Sequence, residues 1–340
     1  MRSAQELDLK VVAIYEETDK DAFHIMRADE AVCLGPGPRK DYLNIDKIIR
    51  AARETGAQAI HPGYGFLSEN PDFPQACTQA GIVFIGPPPE VIRDMGSKVI
   101  ARTIAGEAGI PVIPASATLS RDAAGEVEAL AFAEEHGFPL MIKAVSGGGG
   151  RGIRQVTDEK GLLAGLKMSR SEAMLSFGND EIYLEKGIPR PQHVEVQILA
   201  DGFGTVVHLG TRNCSIQRRH QKLIEIAPAG LEASLTADIC EAAVRMARAA
   251  NYFSAGTVEF LVAPDNSFYF LEVNTRIQVE HTVTEVVTGI DIIREQLLIA
   301  QEEPISFSQD QVVERGYAIQ VRINAEDPKN DFLARPGVVQ

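Results

Sequence analysis

Short apolar runs and helical periodicity alternate along the first ninety-odd residues. Residues 11–15 are a short apolar run rich in β-branched side chains, and residues 57–60 and 82–85 predict further buried strands, each ending in a Gly/Pro-rich turn. Between the first two runs, residues 46–56 place Ile48, Ile49 and Ala52 on one helical face and end at a glycine. This alternation predicts a parallel α/β domain, which opens on the end of a helix at residues 1–9.

The rest of the chain changes character. Residues 108–114 are bounded by prolines and predict a stiff strand at a domain boundary. A smaller unit follows to about residue 186, with strands predicted at 140–144 and 181–186. Residues 193–199 then alternate polar and apolar side chains, which is typical of an antiparallel strand, and a helix is predicted at about 234–250.

Composition narrows the class of function. The chain has 340 residues and a net charge of −14, without a long basic run, which argues against binding to nucleic acid or to a membrane surface. Its four cysteines are widely spaced and predict reduced thiols. No apolar stretch approaches the length of a membrane span, and the N-terminus lacks the apolar segment of a signal peptide. We therefore expect a cytoplasmic protein.

A glycine-rich loop follows the strand that ends near Lys143. The loop contains Gly147, Gly148, Gly149 and Gly150, and glycines let backbone N–H groups approach phosphate oxygens closely. It is not a P-loop, because no Gly-Lys-Ser/Thr follows at the required spacing. A flexible surface linker is the alternative.

A predicted hairpin carries the strongest chemical signal. If its tip lies at residues 265–266, Glu259 stands directly opposite Glu272. Like charges facing each other across a hairpin are destabilising, and a divalent cation with oxygen ligands such as Mg²⁺ would relieve the repulsion. Two solvated glutamates on an exposed face are the alternative.

Polar side chains continue beyond this hairpin at every second position: Glu272, Asn274, Arg276, Gln278 and Glu280. While the chain stays extended they share one face, which predicts an active-site wall or, alternatively, a plain edge-strand surface. Residues 215–222 concentrate basic side chains and predict an anion site or a basic surface turn.

Five segments together resemble biotin carboxylase, over essentially the whole chain and in the family's order: Met95-Gly96-Ser97-Lys98, Ile142-Lys143 with glycines at 147–152, QRRHQK at 217–222, EVNTRIQVEH at 272–281 and RINAEDP at 322–328. The resemblance implies α/β and α+β domains, with an ATP-grasp fold preceded by a parallel Rossmann-like domain. The implied boundaries are 1–97 for the N-terminal domain, 98–114 for a connection, 115–187 for the ATP-grasp lid and 188–340 for an incomplete catalytic part.

The resemblance also implies a role for each matching position. Expected contacts with ATP are Lys98, Lys143, Gly147, Gly148, Gly149, Gly150, Glu185, Lys186, His193, Gln217 and His220. Expected ligands of Mg²⁺ or Mn²⁺ are Glu259, Glu272 and Asn274. Expected bicarbonate-binding residues are Lys222, Arg276, Gln278 and the backbone of Val279. Glu280 would be the general base, and Arg322 would stabilise the enolate of biotin.

The family further implies partners and a larger protein. A biotin carboxyl carrier and a carboxyltransferase would supply and use the biotin, and the full-length form would be a homodimer. The family extends beyond both ends of this chain. Residues 224–228 and 281–285 look somewhat more like pyruvate carboxylase than acetyl-CoA carboxylase. The open alternatives are an ATP-grasp ligase of the carbamoyl-phosphate synthetase kind and a non-catalytic nucleotide-binding fragment.

Overall fold

The chain folds into two compact units, in a computed structural model that describes residues 1–146, 152–219 and 221–335. Unit 1 comprises Met1–Ile113, His193–Arg212 and Ala227–Ala318. Unit 2 comprises Pro114–Gln192, Asn213–Ile226 and Ile319–Gln340, as far as these are described. The four domain boundaries implied by the resemblance stay a prediction.

The N-terminal part of unit 1 alternates helices and short parallel strands, as the sequence predicts. Its helices and strands are α1 (Arg2–Gln5), β1 (Val12–Glu16), α2 (Phe23–Arg27), β2 (Glu30–Gly35), α3 (Ile45–Glu54), β3 (Ala59–Ile60), α4 (Asp72–Gln79), β4 (Val83–Phe84), α5 (Pro89–Gly96) and α6 (Lys98–Glu107), with a 3₁₀ turn at Glu17–Asp19. β1 pairs with β2 and β3 with β4, both in parallel. Ile48 of α3 packs with Phe73 and Cys77 of α4 in the core of this part.

The first segment of unit 2 is a three-stranded antiparallel sheet covered by two helices. These elements are α7 (Ala123–His136), β5 (Leu140–Ala144), β6 (Ile153–Val156), α8 (Glu159–Phe177) and β7 (Ile182–Lys186). The strand order is β6-β5-β7. Leu140 and Ile142 of the central strand are fully buried against Leu162 and Leu166 of α8.

Long antiparallel strands dominate the remainder. The elements are β8 (Gln192–Ala200), β9 (Val206–Arg218), β10 (Gln221–Ala227), α9 (Ala233–Ala249), β11 (Ser254–Val262), β12 (Phe268–Asn274), α10 (His281–Thr288), α11 (Ile292–Ala300), β13 (Ala318–Val321), β14 (Glu326–Asp327) and β15 (Leu333–Ala334), with 3₁₀ turns at Gln309–Gln311 and Pro328–Asn330. Within unit 1 the strand order is β12-β11-β8-β9, and within unit 2 the later part of β9 is followed by β10 and β13. α6 and α9 pack on the unit 1 strands in one apolar core.

The strand predicted at residues 108–114 is wrong. Only one isolated bridge forms there, between Val112 and Phe270. Pro111 and Pro114 carry no N–H group, so this stretch lacks the donors of a regular ladder. The carbonyl of Pro111 still accepts a hydrogen bond from the backbone N–H of Phe270 at 2.8 Å, which holds the stretch beside β12.

Among residues 1–146, 152–219 and 221–335, none of the helices combines the length and the apolar character that a bilayer crossing needs.

Candidate active site

The β11–β12 hairpin sets Glu259 directly opposite Glu272, which confirms the predicted pairing. Nearer the turn the register differs from the prediction, because Phe260 pairs with Phe270 rather than with Leu271. An irregularity between Glu259 and Phe260 then restores the predicted partners. The two carboxylates therefore share one position of the hairpin.

Glu259 is buried, with 2% of its surface exposed, and neighbouring side chains bond to its carboxylate. Asn274 Nδ2 donates to Oε1 at 2.7 Å, and Gln278 Nε2 donates to the same oxygen at 3.3 Å. His193 Nε2, from β8, lies 2.6 Å from Oε2. A buried carboxylate needs such partners to offset the loss of hydration.

The polar row beyond β12 stays together although the strand ends at Asn274. Arg276 donates to Asn274 Oδ1 at 3.1 Å and to Gln278 Oε1 at 2.9 Å. Its Nε lies 3.0 Å from a carboxylate oxygen of Glu69. Beyond the end of the strand, the extended backbone no longer keeps these side chains together. The guanidinium of Arg276 does so instead, because it is hydrogen-bonded to both Asn274 and Gln278.

Glu280 ends this row as the N-cap residue of α10, directly after the half-buried Val279. It is fully buried, and one of its carboxylate oxygens lies within 4.8 Å of an oxygen of Glu195 on β8. The N-terminus of a helix favours a negative charge, because the first backbone N–H groups have no partner within the helix. The row thus ends in a buried carboxylate at the start of a helix.

A cavity of about 250 Å³ lies beside this hairpin within unit 1. Glu272 and Asn274 line it from β12, and Lys98 lines it from the first position of α6. Ser97 caps that helix, with its hydroxyl accepting a hydrogen bond from the N–H of Ile100 at 3.4 Å. A lysine at a helix N-terminus suits an anion, and the two glutamates of the lining, Glu69 and Glu272, suit a cation. The cavity therefore offers complementary charges to a metal-bound phosphate.

Unit 2 carries its own predicted nucleotide residues on β5 and β7. Lys143 pairs with Glu185, which has 3% of its surface exposed. Lys186 donates to the carbonyls of Gly137 and Phe138 at 3.2 and 3.0 Å, where α7 ends. A cation is favourable at a helix C-terminus. These contacts fix the two lysines on neighbouring strands.

The β9–β10 hairpin of unit 2 pairs Gln217 with Lys222. Gln217 Nε2 donates to the carbonyl of Cys214 at 2.8 Å. Directly after β13, the Nε of Arg322 donates to Glu225 Oε1 at 2.6 Å, and the side chain of Glu225 is fully buried. Arg322 is thus held by a buried carboxylate on β10.

The predicted contacts Gly147, Gly148, Gly149, Gly150 and His220 lie outside the described residues.

Two titratable groups near α10 and α11 have shifted pKa values. Loss of hydration lowers the pKa of His61. A hydrogen bond with Gln296 Oε1, at 3.1 Å from the imidazole Nε2, raises this pKa but has the smaller effect. Burial raises the pKa of Glu285, while the nearby His281 lowers it. His61 therefore loses its proton more readily than a solvated histidine, and Glu285 binds a proton more readily than a solvated glutamate.

Sequence reasoning missed a buried polar cluster around Arg212 of β9, which has no exposed surface. Its Nε donates to Glu195, its Nη1 donates to Gln197 at 2.9 Å and Thr284 at 2.8 Å, and its Nη2 donates to Thr257 at 3.2 Å. The alternation at 193–199 suggests one polar, solvated face, yet Glu195 and Gln197 are both fully buried. No local signal in the sequence marks Arg212, because it lies between the polar residues Thr211 and Asn213 on β9.

Two protein families match this chain. The family described as Biotin carboxylase, N-terminal domain, matches residues 1–92. The family described as Carbamoyl-phosphate synthase L chain, ATP binding domain, matches residues 97–307. Together they cover most of the chain.

Individual relatives of this chain are named after the same enzyme or after a carboxylase. Biotin carboxylase of Nostoc sp. is 50% identical over 339 residues, which are 99% of this chain and 75% of that protein. Pyruvate carboxylase of Staphylococcus aureus is 49% identical over 349 residues, which cover 99% of this chain and 30% of that protein. The chain is thus about equally similar to a relative named biotin carboxylase and to one named pyruvate carboxylase.

Solved structures give the same result. A biotin carboxylase–β,γ-ATP complex from Campylobacter jejuni matches with a TM-score of 0.89 and 45% identity, over 98% of this chain and 74% of that chain. The biotin carboxylase domain dimer of Hydrogenobacter thermophilus 2-oxoglutarate carboxylase, in complex with MgADP, ADP and bicarbonate, matches with a TM-score of 0.88 and 45% identity, over 98% and 73%.

Fold and matches define an ATP-dependent ligase with an ATP-grasp fold preceded by a parallel-sheet domain, as the sequence predicts. The chain belongs to the biotin carboxylase family and is an enzyme of that class. It spans about three quarters of the length of its biotin carboxylase relatives.

Proposed function

We propose that this enzyme uses ATP and bicarbonate to carboxylate biotin on a carrier. In the proposed reaction bicarbonate attacks the γ-phosphate of ATP and gives carboxyphosphate and ADP, and biotin then takes the carboxyl group as phosphate leaves. The observation that carries the proposal is the row on β12 and beyond it, in which facing carboxylates are followed by a guanidinium, an amide and a buried carboxylate. Such a row suits a metal-bound nucleotide next to a small anion.

The oxygen donors of the hairpin fit Mg²⁺, or Mn²⁺. Glu259 and Glu272 face each other, and Asn274 Nδ2 already contacts Glu259 at 2.7 Å. Hard divalent cations prefer carboxylate and amide oxygens and complete their shell with water and phosphate. When bound, the ion neutralises charge on the ATP phosphates. These three residues are therefore proposed to hold it.

The proposed ATP contacts fall in both units. In unit 1 they are Lys98 and His193. In unit 2 they are Lys143, Glu185, Lys186 and Gln217. The proposal extends to Gly147, Gly148, Gly149, Gly150 and His220, which lie outside the described residues. Fixed cations offset the charge of a triphosphate, and glycines admit its oxygens to backbone N–H groups.

Glu280 is proposed to take the proton of bicarbonate. Arg276 and Lys222 offset the negative charge of the anion, while Gln278 and the backbone N–H of Val279 orient it. Arg322 is proposed to stabilise the enolate of biotin as its nitrogen attacks the carboxyl carbon. Each cation would act where negative charge develops, and a fixed charge lowers the barrier most at such a position.

The proposal also includes the partners of this chain and the type of carboxylase to which it contributes. A biotin carboxyl carrier and a carboxyltransferase are the expected partners, and the full-length form is expected to be a homodimer. The pyruvate carboxylase type is slightly favoured by residues 224–228 and 281–285. Relatives of both the free-standing and the pyruvate carboxylase kind are about equally similar, so identity alone does not separate them.

ADP release with MgATP and bicarbonate tests the proposal, with and without free biotin. We expect biotin to stimulate release and Glu280→Gln to abolish the stimulation. Glu303→Gln, on an exposed residue after α11, is the matched control and should behave as the unsubstituted chain. Stimulation that survives Glu280→Gln would contradict the role of Glu280. No stimulation in the unsubstituted chain would contradict the proposed function.

The second candidate function is that of a carbamoyl-phosphate synthetase. It follows from the family that matches residues 97–307, which is described as Carbamoyl-phosphate synthase L chain, ATP binding domain. An enzyme of that kind also activates bicarbonate but passes the product to ammonia. Ammonia in place of biotin in the same assay separates the two, because only a carbamoyl-phosphate enzyme is stimulated by it. If neither stimulates but MgATP raises the melting temperature, the chain is a nucleotide-binding fragment.

A further inference from the structure

Arg212 is a fully buried arginine whose guanidinium links three strands to one helix within unit 1. Its partners are Glu195 and Gln197 on β8, Thr257 on β11 and Thr284 on α10. One buried carboxylate, two hydroxyls and an amide oxygen thus accept from its three nitrogens. The fork of the guanidinium fixes the directions of these bonds, which a lysine could not do.

The helix that Arg212 holds is the one that begins after Glu280. Thr284 lies in the first turn of α10, and its hydroxyl accepts from Arg212 Nη1 at 2.8 Å. The carbonyl of Glu280 accepts from the N–H of Val283 at 3.2 Å, so this turn and Glu280 move together. Arg212 therefore anchors the backbone on which the proposed base is carried.

A second link runs through Glu195. Its carboxylate pairs with Arg212 and has an oxygen within 4.8 Å of one on Glu280. Two buried carboxylates at this separation repel each other, and the guanidinium offsets the charge of one of them. Apolar side chains of similar volume often stabilise a fold as well as a buried ion pair does, so stability alone does not require this cluster.

We propose that Arg212 is a positioning residue, which holds the first turn of α10 and the carboxylate of Glu195 so that Glu280 is fixed for its reaction with bicarbonate. The inference rests on the proposed role of Glu280. Arg212 itself is buried behind these residues and acts through them. Misplacing a reacting group by about 1 Å can cost about a hundredfold in rate, so a partial loss of this anchor should be measurable.

Thr284→Val tests the anchor with little change of volume, whereas replacing the buried arginine could prevent folding. Thr284→Ser restores the hydroxyl. Thr288→Val is the matched control, because Thr288 lies on the same helix and bonds only locally. Its hydroxyl donates to the carbonyl of Thr284 at 2.7 Å and accepts from the N–H of Ile290 at 3.3 Å, outside the peptide that is followed. Two measurements are made on all variants: steady-state kinetics of biotin-stimulated ADP release, and hydrogen–deuterium exchange of the peptide that covers residues 280–288.

We expect Thr284→Val to lower kcat about tenfold, with KM for MgATP unchanged within about twofold, and to speed exchange in the first turn of α10. Thr284→Ser should recover most of kcat, and Thr288→Val should match the unsubstituted chain in both measurements. A purely structural role would instead lower the melting temperature and leave kcat per folded molecule unchanged.

The outcomes separate this inference from the proposed function. If biotin stimulates release and Thr284→Val has the kcat of Thr288→Val, the inference is overturned while the function stands. If biotin does not stimulate the unsubstituted chain, the proposed function fails, and exchange alone decides the anchor. If hydrogen–deuterium exchange of residues 280–288 is equal in Thr284→Val and Thr288→Val, the anchoring role of Arg212 is overturned. If exchange is faster in Thr284→Val, that role is upheld.

Discussion

The imidazole Nε2 of His193 lies 2.6 Å from Oε2 of Glu259, so a residue at a proposed nucleotide position contacts a proposed metal ligand directly. His193 is on β8 and Glu259 is on β11, which are neighbours in the unit 1 sheet. The contact occupies one carboxylate oxygen, and Asn274 and Gln278 occupy the other. Binding of a cation must therefore rearrange hydrogen bonds around Glu259, which links metal affinity to the position of His193.

Glu272→Gln should separate the stability of the hairpin from its affinity for metal. Without divalent ions the substitution removes a like charge opposite Glu259, so the free energy of unfolding should rise by up to about 1 kcal/mol. With MgATP the same variant should lose most of the ligand-induced rise in melting temperature. Glu303→Gln, on an exposed residue after α11, is the control. A lower stability without metal would contradict the proposed repulsion.

Two helical glycines should respond in opposite directions to alanine. A Cβ at Gly125 of α7 would collide with the backbone carbonyl of Ser120, whereas one at Gly106 of α6 meets nothing within 4 Å. Gly125→Ala should therefore destabilise by about 1–3 kcal/mol, as overpacking does. Gly106→Ala should stabilise by about 0.5–1 kcal/mol, because alanine restricts the unfolded chain and favours helix. Thermal unfolding checks both, and equal shifts would contradict the steric argument.

The hairpin shows how far sequence reasoning reaches. The pairing of Glu259 with Glu272 could be predicted because turn residues at 264–267 and alternation on both sides restrict the register. The irregularity beside Phe260 could not, because nothing local to it differs from the rest of the strand. The loop spans residues 264–266 rather than the predicted two, which shifts the pairing near the tip by one residue, and the irregularity offsets this shift. The prediction is therefore right at the carboxylates and wrong near the tip.

The cluster around Arg212 shows where sequence reasoning stops. Glu195 and Gln197 look like the solvated face of β8, since alternation reports only that two faces differ. Their true environment depends on an arginine from β9 and threonines from β11 and α10, which are distant in sequence. Burial of polar groups is decided by such partners, and a single sequence does not pair them.

His61→Gln should alter the pH dependence of stability. Loss of hydration lowers the pKa of His61 in the fold, so below about pH 6.5 the unfolded chain binds a proton that the folded chain resists. The contribution of neutral His61 is complete above that pH and is lost as the pH falls towards the lowered pKa, with a slope of at most about 1.4 kcal/mol per pH unit. Urea unfolding at pH 7.5, 6.5 and 5.5 should show that the advantage of the unsubstituted chain over His61→Gln shrinks on acidification. A difference independent of pH would contradict this.

Arg322→Gln should uncouple the two halves of the proposed reaction. The guanidinium is held by the buried Glu225 through Nε at 2.6 Å, which fixes the direction of its terminal nitrogens. Removing one fixed donor from a developing oxyanion costs about a hundredfold or more. Biotin-stimulated ADP release should fall by that factor, whereas the slow bicarbonate-dependent release without biotin should stay within about threefold.

Two further variants make the Arg322 prediction specific. Glu225→Gln keeps the size of the side chain and removes the charge that orients Arg322. It should lower the biotin-stimulated rate less than Arg322→Gln does, and it should leave the rate without biotin unchanged. Arg315→Gln, on an exposed arginine before β13, should change neither rate. If Arg322→Gln lowers both rates in parallel, the guanidinium serves the bicarbonate step or the fold, because a group that acts only on the enolate has no effect before biotin binds.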